Sequence, residues 1–226
     1  MEFRVASVDS LIIYFGDNIG DEVAQEVRRV FYTLKESQIQ GITELIPSYT
    51  SIMVSYDFLQ FSYKEMCQKI EEQIAQTKDM TQEIPSRNIV LPVYYAQEVG
   101  LDLEDMAKSK NMSVQDIIDI HSNQEYFVYA IGFAPGFPYM GEVEQNIATP
   151  RLANPRAKVP KGSVGIADRQ TAVYPRQSPG GWNIIGRTPV EMFDTSYAGF
   201  SYFQVGDRVK FKPISKEEFL QEGGEL

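Results

Sequence analysis

The run Gly132-Phe133-Ala134-Pro135-Gly136-Phe137-Pro138-Tyr139-Met140-Gly141 begins a segment that is not a linker, whatever its composition suggests. The segment ends with Ser178-Pro179-Gly180-Gly181-Trp182 and Gly186-Arg187-Thr188-Pro189. Half of the glycines and two-thirds of the prolines fall between Gly132 and Pro189. Yet Phe133, Phe137, Tyr139, Tyr174 and Trp182 are interleaved with them, and that much apolar area is unfavourable to leave in water. The run therefore reads as ordered loops, with glycine where the backbone needs positive φ or close approach and proline to stiffen turns. Loops of fixed shape carry sites.

On either side of these loops the pattern is short strands with turn signals between them. Tyr126 to Gly132, Ser163 to Ala167, Thr171 to Tyr174, Trp182 to Ile185, Phe200 to Gln204 and Arg208 to Lys212 are the expected strands. Their even spacing predicts a closed or nearly closed β-barrel. Before them come a strand from Asn88 to Tyr95 and short helices at Asp102 to Lys108 and Val114 to His121, the second capped by Ser113 with Asp116. The terminal residues Gln221 to Leu226 read as frayed.

Residues before Pro85 read as a separate β-β-α-β-β-α unit, a sheet against helices. Phe3 to Ser7, Leu11 to Phe15, Ile42 to Ile46 and Ser51 to Tyr56 are its strands. A helix capped by Asp17 or Asn18 runs to about Gln38, with Ile19, Val23, Val27, Val30, Phe31 and Leu34 as its apolar stripe. Ser62 and Glu65 form a capping box for a second helix. The polar stretch 77 to 88, containing Pro85, places the boundary between a domain of residues 1–85 and one of 86–226. The fold class is α+β: a small α/β domain followed by a β-barrel.

The net charge is −10, but the segment from Gln145 to Val190 has seven basic residues and one acid, Asp168. A basic patch in an acidic body suits a small anion or an acidic partner, whereas duplex nucleic acid would be repelled by the whole. The alternative is that these cations pair with acids elsewhere. No apolar run is long enough to span a membrane, and no basic-then-apolar leader opens the chain. A single cysteine, Cys67, excludes an internal disulfide and argues against a structural zinc site. Cytoplasm is the expected compartment, and no metal is expected.

Arg151, Arg156 and Arg187 can each fork onto a carboxylate or phosphate, with Arg156 the favoured ligand contact; the alternative is that at least one stitches loops together. Lys161 can touch a phosphate or stay solvated. Gln177 and Ser178 open a glycine turn as pocket-lining donors, whereas Trp182 reads as a packed barrel residue. His121, the only histidine, completes an apolar helix face. It is either a packed residue near a helix C-terminus or a general acid, base or donor beside the Gly132 loop. No phosphate-binding Gly-x-x-x-x-Gly-Lys-Ser/Thr loop, nucleophile elbow or biotin-accepting Met-Lys-Met occurs.

The three strings Gly132 to Gly141, Pro150 to Ala167 and Gln170 to Pro189, in this order, resemble the family of the 5-oxoprolinase B subunit, KipI and allophanate hydrolase subunit 1. Lys161 stands where that family usually has a small residue. The resemblance implies that the barrel is cyclophilin-like and that the chain acts in a complex. That complex would contain a C subunit (KipA-like) and an A subunit, and would open 5-oxoproline to glutamate with ATP as co-substrate. With these motifs, His121, whose pair His121-Ser122 matches the family, and Arg156 are the expected catalytic groups. Substrate would be bound by Phe133, Pro135, Gly136, Phe137, Arg151, Lys161, Gln177, Ser178, Pro179, Gly180, Gly181 and Arg187. Two other roles follow from the same resemblance: a KipI-like inhibitor of sensor histidine kinase autophosphorylation, or a component of a urea-degrading, allophanate hydrolase-like enzyme.

Overall fold

The computed structural model describes residues 1–77, 86–197 and 199–226, and its contacts divide the chain into two compact units, Met1–Ser86 and Arg87–Leu226. Pro85, where the sequence places the boundary, lies outside the described residues.

The first unit runs β1 (Glu2–Ser7), β2 (Ser10–Tyr14), α1 (Asp21–Ser37), β3 (Ile42–Ser48), β4 (Ser51–Tyr56) and α2 (Tyr63–Thr77). Its antiparallel sheet has the order β1-β2-β4-β3. Alternation sorts its residues as expected: Leu11 and Ile13 of β2 and Ile52 and Val54 of β4 are fully buried against Val27, Val30 and Leu34 of α1 and Met66 and Ile70 of α2. Ser62 and Glu65 close the α2 capping box, with Ser62 N–H donating to the Glu65 carboxylate at 2.8 Å. The start of α1 differs from expectation. Its cap is Gly20 with no side-chain hydrogen bond, so Asp17 and Asn18 do not cap it and Ile19 stays 44% exposed outside the stripe. β3 also runs past Ile46, where the sequence ends the strand, through Pro47 and Ser48 to a tight turn at Tyr49-Thr50.

The second unit contains β5 (Asn88–Val93), α3 (Leu103–Lys110), α4 (Val114–Asn123), β6 (Glu125–Ile131), β7 (Pro138–Gly141), β8 (Arg156–Val159) and β9 (Ser163–Ala167). It continues through β10 (Gln170–Val173), β11 (Ser178–Gly180), β12 (Asn183–Arg187), β13 (Arg208–Pro213) and α5 (Lys216–Gln221). Seven strands form one sheet, β12-β9-β10-β7-β6-β13-β5, and β8 and β11 form a separate ribbon. The sheet curls until its two end strands meet. Tyr94, just past β5, exchanges both backbone hydrogen bonds with Arg187 at the end of β12, at 2.8 and 2.9 Å. This is the cyclophilin-like barrel that the resemblance implied.

Inside the curl, Leu91, Val93, Val128, Met140, Val164, Ile166, Val173, Val209 and Phe211 form the main core with Ile117 of α4. The opposite face of the same strands carries a second cluster, built from the alternate residues Tyr139, Ala167, Ala172 and Ile184 with Phe137, Val159, Tyr174 and Trp182. The sheet thus buries residues on both sides, which explains why β9 is buried at every position.

The structure changes three details of the barrel. Phe200 to Gln204 is not a strand: Phe200 has φ 65° and Gly199 φ 78°, so the chain turns, and only Ser201 bridges to Phe193. β7, β8 and β11 lie inside the Gly- and Pro-rich segment, where turn residues masked them. The tail is not frayed. Ser215 and Glu218 cap α5, Phe219 is fully buried, and the Arg187 guanidinium donates to the Glu225 carbonyl at 2.6 Å.

Candidate functional site

The two halves of the outer-face cluster leave a cavity of about 210 Å³ between the barrel sheet and the β8–β11 ribbon. Its walls are Phe137, Tyr139, Tyr174 and Trp182 from the sheet, Pro155, Pro179, Gly180 and Gly181 from the ribbon side, and Phe133 and Arg151 at the rim. The rings meet at angles: Phe137 is edge-on to Tyr174 at 5.2 Å and to Trp182 at 5.8 Å. The Arg151 guanidinium stands 5.7 Å over the Trp182 ring. Burial pushes the phenols of Tyr139 and Tyr174 up, so both remain protonated at neutral pH, although a backbone hydrogen bond with Trp182 partly offsets the shift at Tyr174.

Local sequence explains the shape. A side chain at position 180 would collide with the Tyr174 hydroxyl, so only glycine lets the ribbon lie against that ring. Phe133 adopts φ 65° and Gly136 φ 82°, turning the loop tightly and leaving Phe133 66% exposed at the cavity mouth. A left-handed phenylalanine costs about 1 kcal/mol or more and is held by its surroundings.

Six residues singled out from sequence therefore share this cavity: Phe133, Phe137, Arg151, Pro179, Gly180 and Gly181. Pro135 and Lys161 line a different cavity of about 240 Å³ with Pro175, Arg176, Glu191 and Phe193. There Lys161 pairs with Glu191. Gly136 lines neither; it packs against the Met192 carbonyl. Gln177 is exposed, while the Ser178 hydroxyl is buried with no hydrogen-bond partner among the described residues. Tyr139, Tyr174, Pro155 and Trp182 are cavity walls that sequence reasoning omits or treats as packing. The alternation of β7 and β10, read against the loop aromatics, is the signal that could have found them.

The two residues put forward as catalytic are elsewhere. Arg156 forks onto Asp102 at 2.9 and 2.5 Å, and the same carboxylate accepts the Ile184 N–H at 2.6 Å. This ties β8 to the start of α3 and to β12. His121 is fully buried on the inner face of the sheet, opposite the aromatic cavity. Its Nδ1 meets the Tyr95 hydroxyl at 2.8 Å, its Nε2 the Thr171 hydroxyl at 2.9 Å, and its ring stacks on Phe211 at 4.4 Å. Burial lowers its pKa to about 3, so it is a neutral ring bonded at both nitrogens. Arg187 donates to the carbonyls of Lys161 and Glu225, and its burial lowers its pKa. For Arg156, Arg187 and His121 the geometry is that of the stitching and packing alternatives.

Residues 1–202 match the family described as carboxyltransferase domain, subdomain C and D, and the chain belongs to that family. Among curated proteins it is similar to the 5-oxoprolinase B subunit of Bacillus subtilis (strain 168), 39% identical over 221 residues, covering 93% of this chain and 91% of that one. Among solved structures it resembles TTHA0988, with a TM-score of 0.80, 29% identity and coverage of 91% of this chain but 40% of that longer one. The urea carboxylase of Kluyveromyces lactis shares the fold, with a TM-score of 0.74 at 16% identity over 97% of this chain and 22% of that one.

Proposed function

We propose that this chain is the B subunit of a cytoplasmic, ATP-dependent 5-oxoprolinase, working with C and A subunits to open 5-oxoproline to glutamate. The observation that carries this reading is the 39% identity with a 5-oxoprolinase B subunit over nearly the whole of both chains. Residues 1–85 would then be an α/β domain and 86–226 the barrel domain that carries the site. In the reaction, the lactam oxygen takes the γ-phosphoryl group and ADP leaves. Water then adds to the activated carbon and the ring C–N bond breaks with a proton going to nitrogen, leaving a γ-glutamyl phosphate that a second water hydrolyses to glutamate and phosphate. Activation is needed because an unactivated lactam is a poor electrophile, and the charge that builds on oxygen calls for fixed donors. Of the residues proposed for substrate, those around the 210 Å³ cavity form a group; Arg156, His121 and Arg187 would act by holding the barrel in shape. The test is glutamate release from 5-oxoproline and ATP by the chain co-expressed with its C and A partners. Release that depends on this chain supports the proposal, and an assembled complex that works equally well without ATP refutes it.

A further inference from the structure

The seven cations between Gln145 and Val190 do not have equal freedom. Arg156 pairs with Asp102, Lys161 with Glu191 and Arg169 with Glu142, and Arg187 is held by two carbonyls. Arg151, Lys158 and Arg176 are exposed, and none has a carboxylate partner among the described residues. Of these three, Arg151 alone lines the aromatic cavity, and no Asp or Glu lines it with it.

We infer that this cavity is the recognition site for a small planar carboxylate, with Arg151 taking the carboxylate and the Trp182, Tyr139 and Phe137 rings taking a flat ring edge-on or face-on. The identity of the ligand, the lactam acid 5-oxoproline, rests on the proposed subunit role; beyond that role, this chain binds the acid alone, before ATP or any partner. Three features carry it. The volume of about 210 Å³ lies below the roughly 300–1,000 Å³ of sites for drug-sized molecules, so the occupant is a small ring with one or two substituents. The walls are aromatic and proline faces, which favour flat ligands over extended chains. One unpaired guanidinium at the rim, with no acid opposing it, selects a single negative charge and disfavours a cation that aromatic walls alone would accept. A nucleoside triphosphate fits neither the volume nor the single arginine, so its site is elsewhere in the complex.

Trp182 is the only tryptophan in the chain, which makes its emission a reporter of this cavity. The purified full chain is titrated with 5-oxoproline and with 2-pyrrolidinone, the same lactam without the carboxylate, with equilibrium dialysis of labelled 5-oxoproline as a readout independent of fluorescence. Saturable binding of 5-oxoproline is expected, with 2-pyrrolidinone weaker by at least about tenfold, the lower end of what a hydrogen bond to a charged group contributes. Arg151→Ala should bind 5-oxoproline at least about tenfold more weakly, Arg151→Lys should recover part of the loss, and Lys158→Ala should match the parent. In the assembled complex, Arg151→Ala should raise KM for 5-oxoproline and leave KM for ATP unchanged. Equal binding of the two lactams, or Arg151→Ala binding like the parent in dialysis, overturns the inference. An active complex from which this chain, once isolated, shows no saturable binding in dialysis also overturns it while leaving the proposed function intact. A complex that releases no glutamate removes the proposed function, and the two-lactam titration still decides the cavity.

Discussion

Replacing Arg156 with alanine separates a residue that touches ligand from one that holds the barrel together. The Asp102 side chain is 10% exposed and that of Arg156 28%, and the pair is joined by two hydrogen bonds. Arg156→Ala leaves the carboxylate with the Ile184 N–H as its remaining side-chain hydrogen bond. Removing one partner of a fully buried pair costs about 3–5 kcal/mol, and the solvent that reaches Arg156 reduces this to roughly 2–3 kcal/mol. For a chain of this length about 3 °C of Tm accompanies each kcal/mol, so Tm should fall by about 6–9 °C. Urea and thermal unfolding of the parent, Arg156→Ala, Asp102→Ala and the double variant measure this. The double variant should be more stable than additivity predicts, by at least about 1.5 kcal/mol, because the second change removes the charge the first one stranded. In the assembled complex, KM for 5-oxoproline should stay near the parental value at a temperature where the variant is folded. If Arg156→Ala melts within about 1 °C of the parent and instead raises that KM, the guanidinium serves the ligand and the structural reasoning is wrong.

Three other perturbations test the same architecture. His121 is held neutral with its pKa lowered to about 3, whereas the unfolded chain takes up its proton near pH 6.5. The unfolded state thus binds more protons between these values, and stability should fall as pH drops below about 6.5, by up to about 1.4 kcal/mol per pH unit from this group. Urea midpoints at about pH 7 and pH 5 should converge more for His121→Gln than for the parent; an unchanged slope would refute the burial argument. Gly180→Ala should destabilise by about 1–3 kcal/mol and weaken ligand binding, since its methyl meets the Tyr174 hydroxyl, while Gly181→Ala, whose nearest neighbour is 3.5 Å away, should stay within about 0.5 kcal/mol. Equal melting of the two glycine variants would show that the ribbon can lift from the ring. Ser113→Ala removes a capping box at the start of α4 and should cost about 1 kcal/mol in urea unfolding.

The features legible from residues alone are those whose physics is local. Ser113 with Asp116 and Ser62 with Glu65 announced their helices because a cap depends on residues three apart. The alternation Ile52, Val54, Tyr56 announced a strand against a core, and the aromatic loops announced ordered structure because so many large rings in a Gly- and Pro-rich run must pack on something. The strings around Gly132, Pro150 and Ser178 were enough to indicate the family. The start of α1 at Asp21, by contrast, was set without the polar side chains upstream, since Gly20 caps it through extended backbone alone.

Which side of the sheet each group occupies, and which partner each charge finds, emerges only on folding. His121 and the Gly132 loop are neighbours in sequence, yet Thr171 points inward to the histidine and Ala172 outward to the second cluster, so one residue of register separates a buried ring from the aromatic side of the sheet. Arg156 and Arg151 are five positions apart and equally basic, but Asp102, which claims Arg156, lies 54 residues away in the chain. Pairing across such distances depends on how the folded chain brings β8 beside the start of α3 and β12, and no local pattern encodes it. Arg151 keeps its charge available because the fold brings no acid to it among the described residues.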